Sequence, residues 1–179
     1  MSEPEIELCV IETKEWISKI VIGLNLCPFA HHPYASDLIR YSVYDPDRAV
    51  IEQVGEEIKL LIGVEADDIE TSLIILEEAI DFMPYLNLIG QVERYISDQN
   101  LDGVVQVASF HPEYQFSDLS SDDVRNYTNR SPYAMIHLLR EQSVTLAVQR
   151  HGNTDQIPVD NQVRLLDLGI DGVDELLKK

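Results

Sequence analysis

The sequence is short of lysine, cysteine and tryptophan, and it has no long apolar run. Only five lysines occur, and none lies between residues 60 and 177. Lysine and arginine number 13 against 32 aspartates and glutamates, so the net charge is −19 and the pI is near 4.4. Such a chain lacks the basic footprint that sequence-independent binding to nucleic acid or to an anionic membrane requires, and neither is expected as a partner. No apolar stretch approaches the roughly 20 residues of a membrane helix. The opening M-S-E-P-E-I-E has no positive segment ahead of an apolar one, so no secretory signal is read there and a cytoplasmic location is expected. The two cysteines are Cys9 and Cys27. Cys9 sits in an apolar helical stretch and reads as a small core hydrophobe, and nothing calls for a disulfide.

Hydrophobic residues make up 45% of the chain, which is globular rather than disordered or fibrous. Its 179 residues fit one domain spanning 1–179, with an N-terminal helix and a C-terminal helical extension. A chain of this size buries roughly 70% of its unfolded surface and needs no disulfide or metal staple.

Val10, Ile17, Ile20, Val21 and Leu24 recur at helical spacings and predict a helix over 5–24, ending near Gly23 and Asn25. L-C-P-F-A-H-H-P-Y follows as a proline-punctuated loop or turn. Alternation over 38–44 predicts a strand. Asp45-Pro46 reads as a cap and first-turn proline for a helix that ends at Gly63. S-L-I-I-L, 72–76, fits a strand buried on both faces. Asp81 opens a third helix, a turn follows at 100–103, and 104–110 is a third strand. Residues 111–130 read as irregular. Ser131-Pro132 looks like another helix start, with Met135, Leu138, Leu139 and Leu146 inward, and 153–179 holds a loop and one or two short amphipathic helices. Alternation of strands and helices predicts an α/β protein with helices on a small, mainly parallel sheet of three or four strands. The alternative is a ferredoxin-like α+β fold, with a fourth, antiparallel strand hidden in 111–118.

The scarce positive charge gathers in one region. Between 111 and 151 it is carried by Arg125, Arg130, Arg140 and Arg150 with His111, His137 and His151. If 131 onward is a helix, its free N–H groups lie beside Arg130, while His137, Arg140 and Glu141 share one face. Arginine suits bidentate grip on carboxylate or phosphate, so this cluster, with Asn126 and Ser131, reads as a pocket for a small anion. The same groups can equally be buried polar packing, with Asn126 and Asn129 serving turns. His111 leaves the end of a strand, where ligands bind in parallel sheets, and Tyr114 and Phe116 can wall a pocket beside it. Cys27-Pro28 places a thiol at the start of a helical turn, where its pKa can fall, with His111 or His137 as a base. A C-x-x-C pair is absent, since position 30 is alanine, which argues against dithiol exchange. Cys27, His31 and His32 have spacing a metal can use, with His111 distant, but the signal is weak and no metal site is assigned.

N-L-C-P-F-A (25–30), A-S-F-H-P-E-Y-Q-F (108–116), N-Y-T-N-R-S-P-Y (126–133) and H-L-L-R-E (137–141) together resemble an uncharacterised bacterial family catalogued as a domain of unknown function. The resemblance runs from Trp16 to about Leu166. It brings no established activity or cofactor. It does single out Cys27, Arg40, His111, Tyr114, Asn126, Arg130, Ser131, His137, Arg140 and Glu141 as motif positions. Members usually carry lysine or arginine where this chain has His31, and a second proline where it has Ala134. Two readings stay open. One is an enzyme on a small anionic metabolite, with Arg40, Arg130 and Arg140 binding and Cys27, His111 and His137 as catalytic candidates. The other is a non-catalytic ligand-sensing or protein-interaction module. The cofactor and the oligomeric state stay open in both.

Overall fold

A computed structural model describes residues 3–178. The chain begins with helix α1 (Glu3–Trp16), which continues as a π-helical stretch, Ile17–Ile22. A short helix α2 (His31–Ala35) leads to strand β1 (Ile39–Val43), helix α3 (Val50–Gly63), strand β2 (Thr71–Leu76), helix α4 (Phe82–Asp98) and strand β3 (Val105–Phe110). A 3-10 turn at Val124–Thr128 precedes strand β4 (Ala134–Arg140), helix α5 (Glu141–His151) and helix α6 (Gln156–Lys178). Among the described residues no helix is long and apolar enough to cross a membrane.

The α/β class holds, with six α-helices among the described residues on one four-stranded sheet of order β1-β2-β4-β3. Its direction differs from the sequence reading. β1 and β2 pair in parallel, while β4 pairs antiparallel with both β2 and β3. Strands β1, β2 and β3 therefore run the same way, and β4 is inserted in reverse between β2 and β3. The fourth strand is not in 111–118 but in 134–140, where the sequence pattern suggested a helix. The reason is burial on both faces. Ala134, Met135, Ile136 and Leu138 are all buried, so the strand carries no alternation, and a continuous apolar run reads equally as helix. Ser131 caps no helix; its hydroxyl donates to Tyr133 O. In a strand His137 and Arg140 point to opposite faces, so the shared helical face does not exist.

The two faces of the sheet carry two cores. Val54, Ile58 and Leu61 of α3 and Tyr85, Val92 and Ile96 of α4 pack on Ile74, Leu76, Ile136 and Leu138. Gly55 lets α4 approach, because a Cβ there would meet the Tyr95 hydroxyl at 2.4 Å. On the other face α1, the π-helical stretch and α6 bring Cys9, Trp16, Ile17, Ile20, Leu165 and Val173 against Ile39, Leu73, Ile75 and Met135. Cys9 is thus the core hydrophobe expected, and both cysteines are free thiols. Helix α6 kinks at Gly169, whose φ of 68° glycine adopts without steric cost.

The buried Tyr85 hydroxyl joins β3 and β4 where their ladder ends. It donates to Met135 O at 2.7 Å and accepts from Phe110 N at 2.9 Å. Burial pushes its pKa well above the usual phenol value. Tyr85→Phe strands both backbone groups in the core, and a loss of about 2 kcal/mol is expected. Urea denaturation checks it: the midpoint should fall with the slope unchanged.

Candidate functional site

The arginines expected to hold an anion are each engaged by the protein's own groups. Arg40 points from β1 to α3, where Nε donates to Glu57 at 2.9 Å and Nη2 at 3.0 Å, and Ser72 Oγ donates to the same carboxylate at 3.0 Å. Burial alone would raise the Glu57 carboxyl; bonds from Arg40, Ser42 and Ser72 outweigh it and hold the pKa below its ordinary value. Arg130 bridges the irregular segment, donating to Tyr114 O at 3.1 Å and to Ser121 O, with its guanidinium 5.2 Å from the Tyr127 ring centre. Arg140 donates to Val64 O at 2.8 Å, to Ile69 O at 3.0 and 2.9 Å, and to Leu61 O. Arg125 pairs with Asp123 two residues away at 2.6 Å. Each guanidinium serves its own carbonyls or carboxylate at its own place, so the premise of the three-arginine anion pocket does not hold. Carbonyl oxygens at loop and helix ends carry the negative charge that Arg130 and Arg140 meet, and carboxylates that of Arg40 and Arg125.

The other motif residues are placed as follows. Asn126 is fully buried and staples its loop, accepting from Phe116 N at 3.1 Å and donating to Ser120 O at 2.8 Å. Glu141 opens α5, and its backbone N donates to Val104 O at 3.0 Å. Tyr114 packs on Phe82 and Phe116. His111 is only 2% exposed, between Phe82 and Tyr85. Its Nδ1 accepts from Glu113 N at 3.0 Å, and its Nε2 donates to Ile80 O at 2.8 Å. Both ring nitrogens are therefore engaged by backbone, on the side of the sheet where α4 packs. His32 meets Glu70 at 3.4 Å, and among the described residues no three His, Cys, Asp or Glu side chains gather to hold a metal ion.

Two candidates, Cys27 and His137, border the same space. They line one cavity of about 150 Å³ on the sheet face opposite α3 and α4. Its floor is Ile39, Thr71, Leu73, His137 and Leu139; Trp16, Ile17 and Val21 form one wall, Phe29, Ala30 and Pro33 a second, and Ser143, Val144 and Ala147 of α5 a third. Ile17 and Val21 belong to the π-helical stretch, a rare conformation that recurs at functional sites. Trp16 and Phe110 meet edge to face at 5.2 Å, and Phe110 lies 5.9 Å from His137. The cavity lies over the sheet face, not beyond the strand ends, because the reversed β4 replaces the parallel neighbour that an end-of-strand crevice assumes.

The cavity walls are almost wholly apolar, and the polar pair on the floor is neutral. Thr71 Oγ1 donates to Leu138 O at 2.7 Å, so it accepts from Nε2–H of His137, also at 2.7 Å. Burial lowers the His137 pKa to about 4. Burial likewise raises the Cys27 thiol, against the N–H groups of Phe29 and Ala30 that pull it down. The sequence reading allowed a lowered thiol pKa; the surroundings shift it the other way. A thiolate–imidazolium pair needs the opposite shift on each partner.

A wider cleft of about 460 Å³ lies between α1 and the 112–132 segment. Arg130 and Lys19 there face Glu12 and Glu15, so its charges balance. Sequence reasoning missed Trp16, Phe29, Thr71 and the α5 residues as cavity lining. Only the apolar character of 143–148 signalled them, and that reads equally as core.

The candidate site is a small apolar cavity on one face of a mixed α/β sheet, bordered by residues 27–33 and α5. The sequence profile of the family described as "protein of unknown function (DUF1415)" matches residues 9–175, and the chain belongs to that family. No curated protein and no solved structure matches it.

Proposed function

We propose that the protein is a binding module for a small, largely apolar molecule, held in the cavity between the sheet, loop 27–33 and α5. The observation that carries this reading is that segments far apart in sequence, around Cys27, Phe110 and His137, supply one largely apolar hollow with the neutral Thr71–His137 pair on its floor and Glu70 and Arg140 at its edge. An apolar cavity of about 150 Å³ is large enough for a molecule of benzene's size. A predominantly apolar lining with a few placed polar groups is the usual make-up of a ligand site. The non-catalytic reading is favoured over a cysteine nucleophile, because burial raises the Cys27 thiol and lowers the His137 ring, the reverse of what a thiolate–imidazolium pair needs. An anion has no free guanidinium in this cavity, since Arg140 at its edge is engaged with carbonyls.

Trp16 is the one tryptophan of the chain and borders the cavity, so it reports on occupancy. Titration with ethylbenzene or phenol, excited where only tryptophan absorbs, should give a saturable change in its emission. Ala147→Phe fills the cavity from α5 and should weaken that binding at least about tenfold, the order of the apolar contact energy displaced. An unsaturable response, or equal affinity in the filled variant, would remove the basis for the proposal.

A further inference from the structure

The apolar cavity has a polar forecourt. A second, more open hollow of about 490 Å³ is lined by Pro28, His32, Asp67, Leu146, Arg150 and His151, among others. Four residues line both hollows: Phe29, Glu70, Ser143 and Ala147. The two spaces are thus adjacent, with one face of α5 and the residue preceding β2 between them as a neck that a ligand would span. Phe29 stands at that neck with its ring edge-on to His151 at 5.7 Å. The inner space is apolar and the outer one charged, an arrangement made for a molecule with an apolar body and one charged end.

The sign of that end follows from which charges are available. Two charged residues border the inner cavity, Glu70 and Arg140. Arg140 is committed to the carbonyls of Leu61, Val64 and Ile69. Glu70 has one partner, His32 at 3.4 Å, and that imidazole is 74% exposed and readily displaced. Asp67 and Arg150 both border only the outer space, where their charges offset each other, so Glu70 is the charge left at the neck. The chain as a whole carries a net charge of −19, which concentrates cations rather than anions near its surface.

We propose that the two hollows form one site for a small amphiphilic amine, its apolar body in the inner cavity and its ammonium at Glu70 in the neck. This rests on the ligand-pocket reading above and adds the charge of the ligand. The test uses three probes with the same ring and different ends: phenethylamine, hydrocinnamate and ethylbenzene. Each is titrated into the full chain, following Trp16 emission and isothermal heat. Phenethylamine should bind about fivefold or more tightly than either of the others, as expected for one partly exposed ion pair. Glu70→Gln should lower the phenethylamine affinity by about the same factor and leave ethylbenzene unchanged. Glu70 contributes one side-chain bond to the fold, that to His32, so the variant is expected to fold. Equal affinity for hydrocinnamate, or an unchanged amine affinity in Glu70→Gln, overturns the amine assignment while ethylbenzene binding still upholds the cavity. Failure of all three probes to bind overturns both.

Discussion

Arg140→Leu is expected to lower the free energy of unfolding by about 4 kcal/mol. Helix α3 has no basic residue in its last turn, and its C-terminal carbonyls carry partial negative charge. Arg140 reaches them from β4, donating to Leu61 O and to Val64 O at 2.8 Å, and ties Ile69 O ahead of β2 to the same fork. Leucine matches the apolar stem but leaves three carbonyls without their charged donor. A hydrogen bond to a charged group contributes about 1.5–3 kcal/mol, and water recovers part of the loss because the site is half-buried. Arg140→Lys should lose about half as much, since an ammonium supplies charge but not the planar fork. Urea denaturation reads both values, and hydrogen exchange should localise the loosening to the end of α3. A loss below about 1 kcal/mol in the leucine variant would mean that water satisfies those carbonyls as well as the arginine does.

Stability should fall by about 3 kcal/mol as pH drops from about 6.5 to 4, through His137 alone. Its pKa is about 4 in the folded chain against an ordinary value of 6.5. Between these values the unfolded chain binds a proton that the folded chain refuses, so protonation favours unfolding and stability rises with pH across the window. The contribution is fully present above 6.5 and is lost as pH falls. Glu57 acts in a separate window. Its lowered carboxyl pKa stabilises the fold above its ordinary value of 4.5 and is lost below it. Denaturation of the wild type and of His137→Phe at several pH values separates the two. The variant should lose the slope between 6.5 and 4 and keep the acid limb below it. An unchanged slope in the variant would show that the imidazole titrates as it does in water.

Where the sequence was read correctly, the signal was local. The helix over 5–24 and the strands at 38–44, 72–76 and 104–110 correspond to α1 with its π-helical continuation, β1, β2 and β3 to within a few residues. The helix expected from Asp45-Pro46 begins at Val50, because Asp45 caps its own turn, accepting from Asp47 N at 3.1 Å. The misreading at 131–140 came from the same rules applied to a strand buried on both sides, where no period distinguishes strand from helix. The arginines were read as holding an anionic ligand; Arg130 and Arg140 meet backbone carbonyls and Arg40 meets Glu57, and composition cannot tell a ligand from such partners.

By itself the sequence determined the first three strands and the helices between them, the α/β class and the acidic net charge, because each depends on nearest neighbours along the chain or on a sum over it. Only the tertiary structure decided that β4 runs backwards between β2 and β3, that Arg40, Arg130 and Arg140 are each tied to partners within the protein, and that Cys27 and His137 share an apolar hollow. Those facts depend on which face of the sheet each side chain enters and on what is packed there. A strand turned by one residue exchanges core for opposite core, and a sequence buried on both faces carries no mark of the choice.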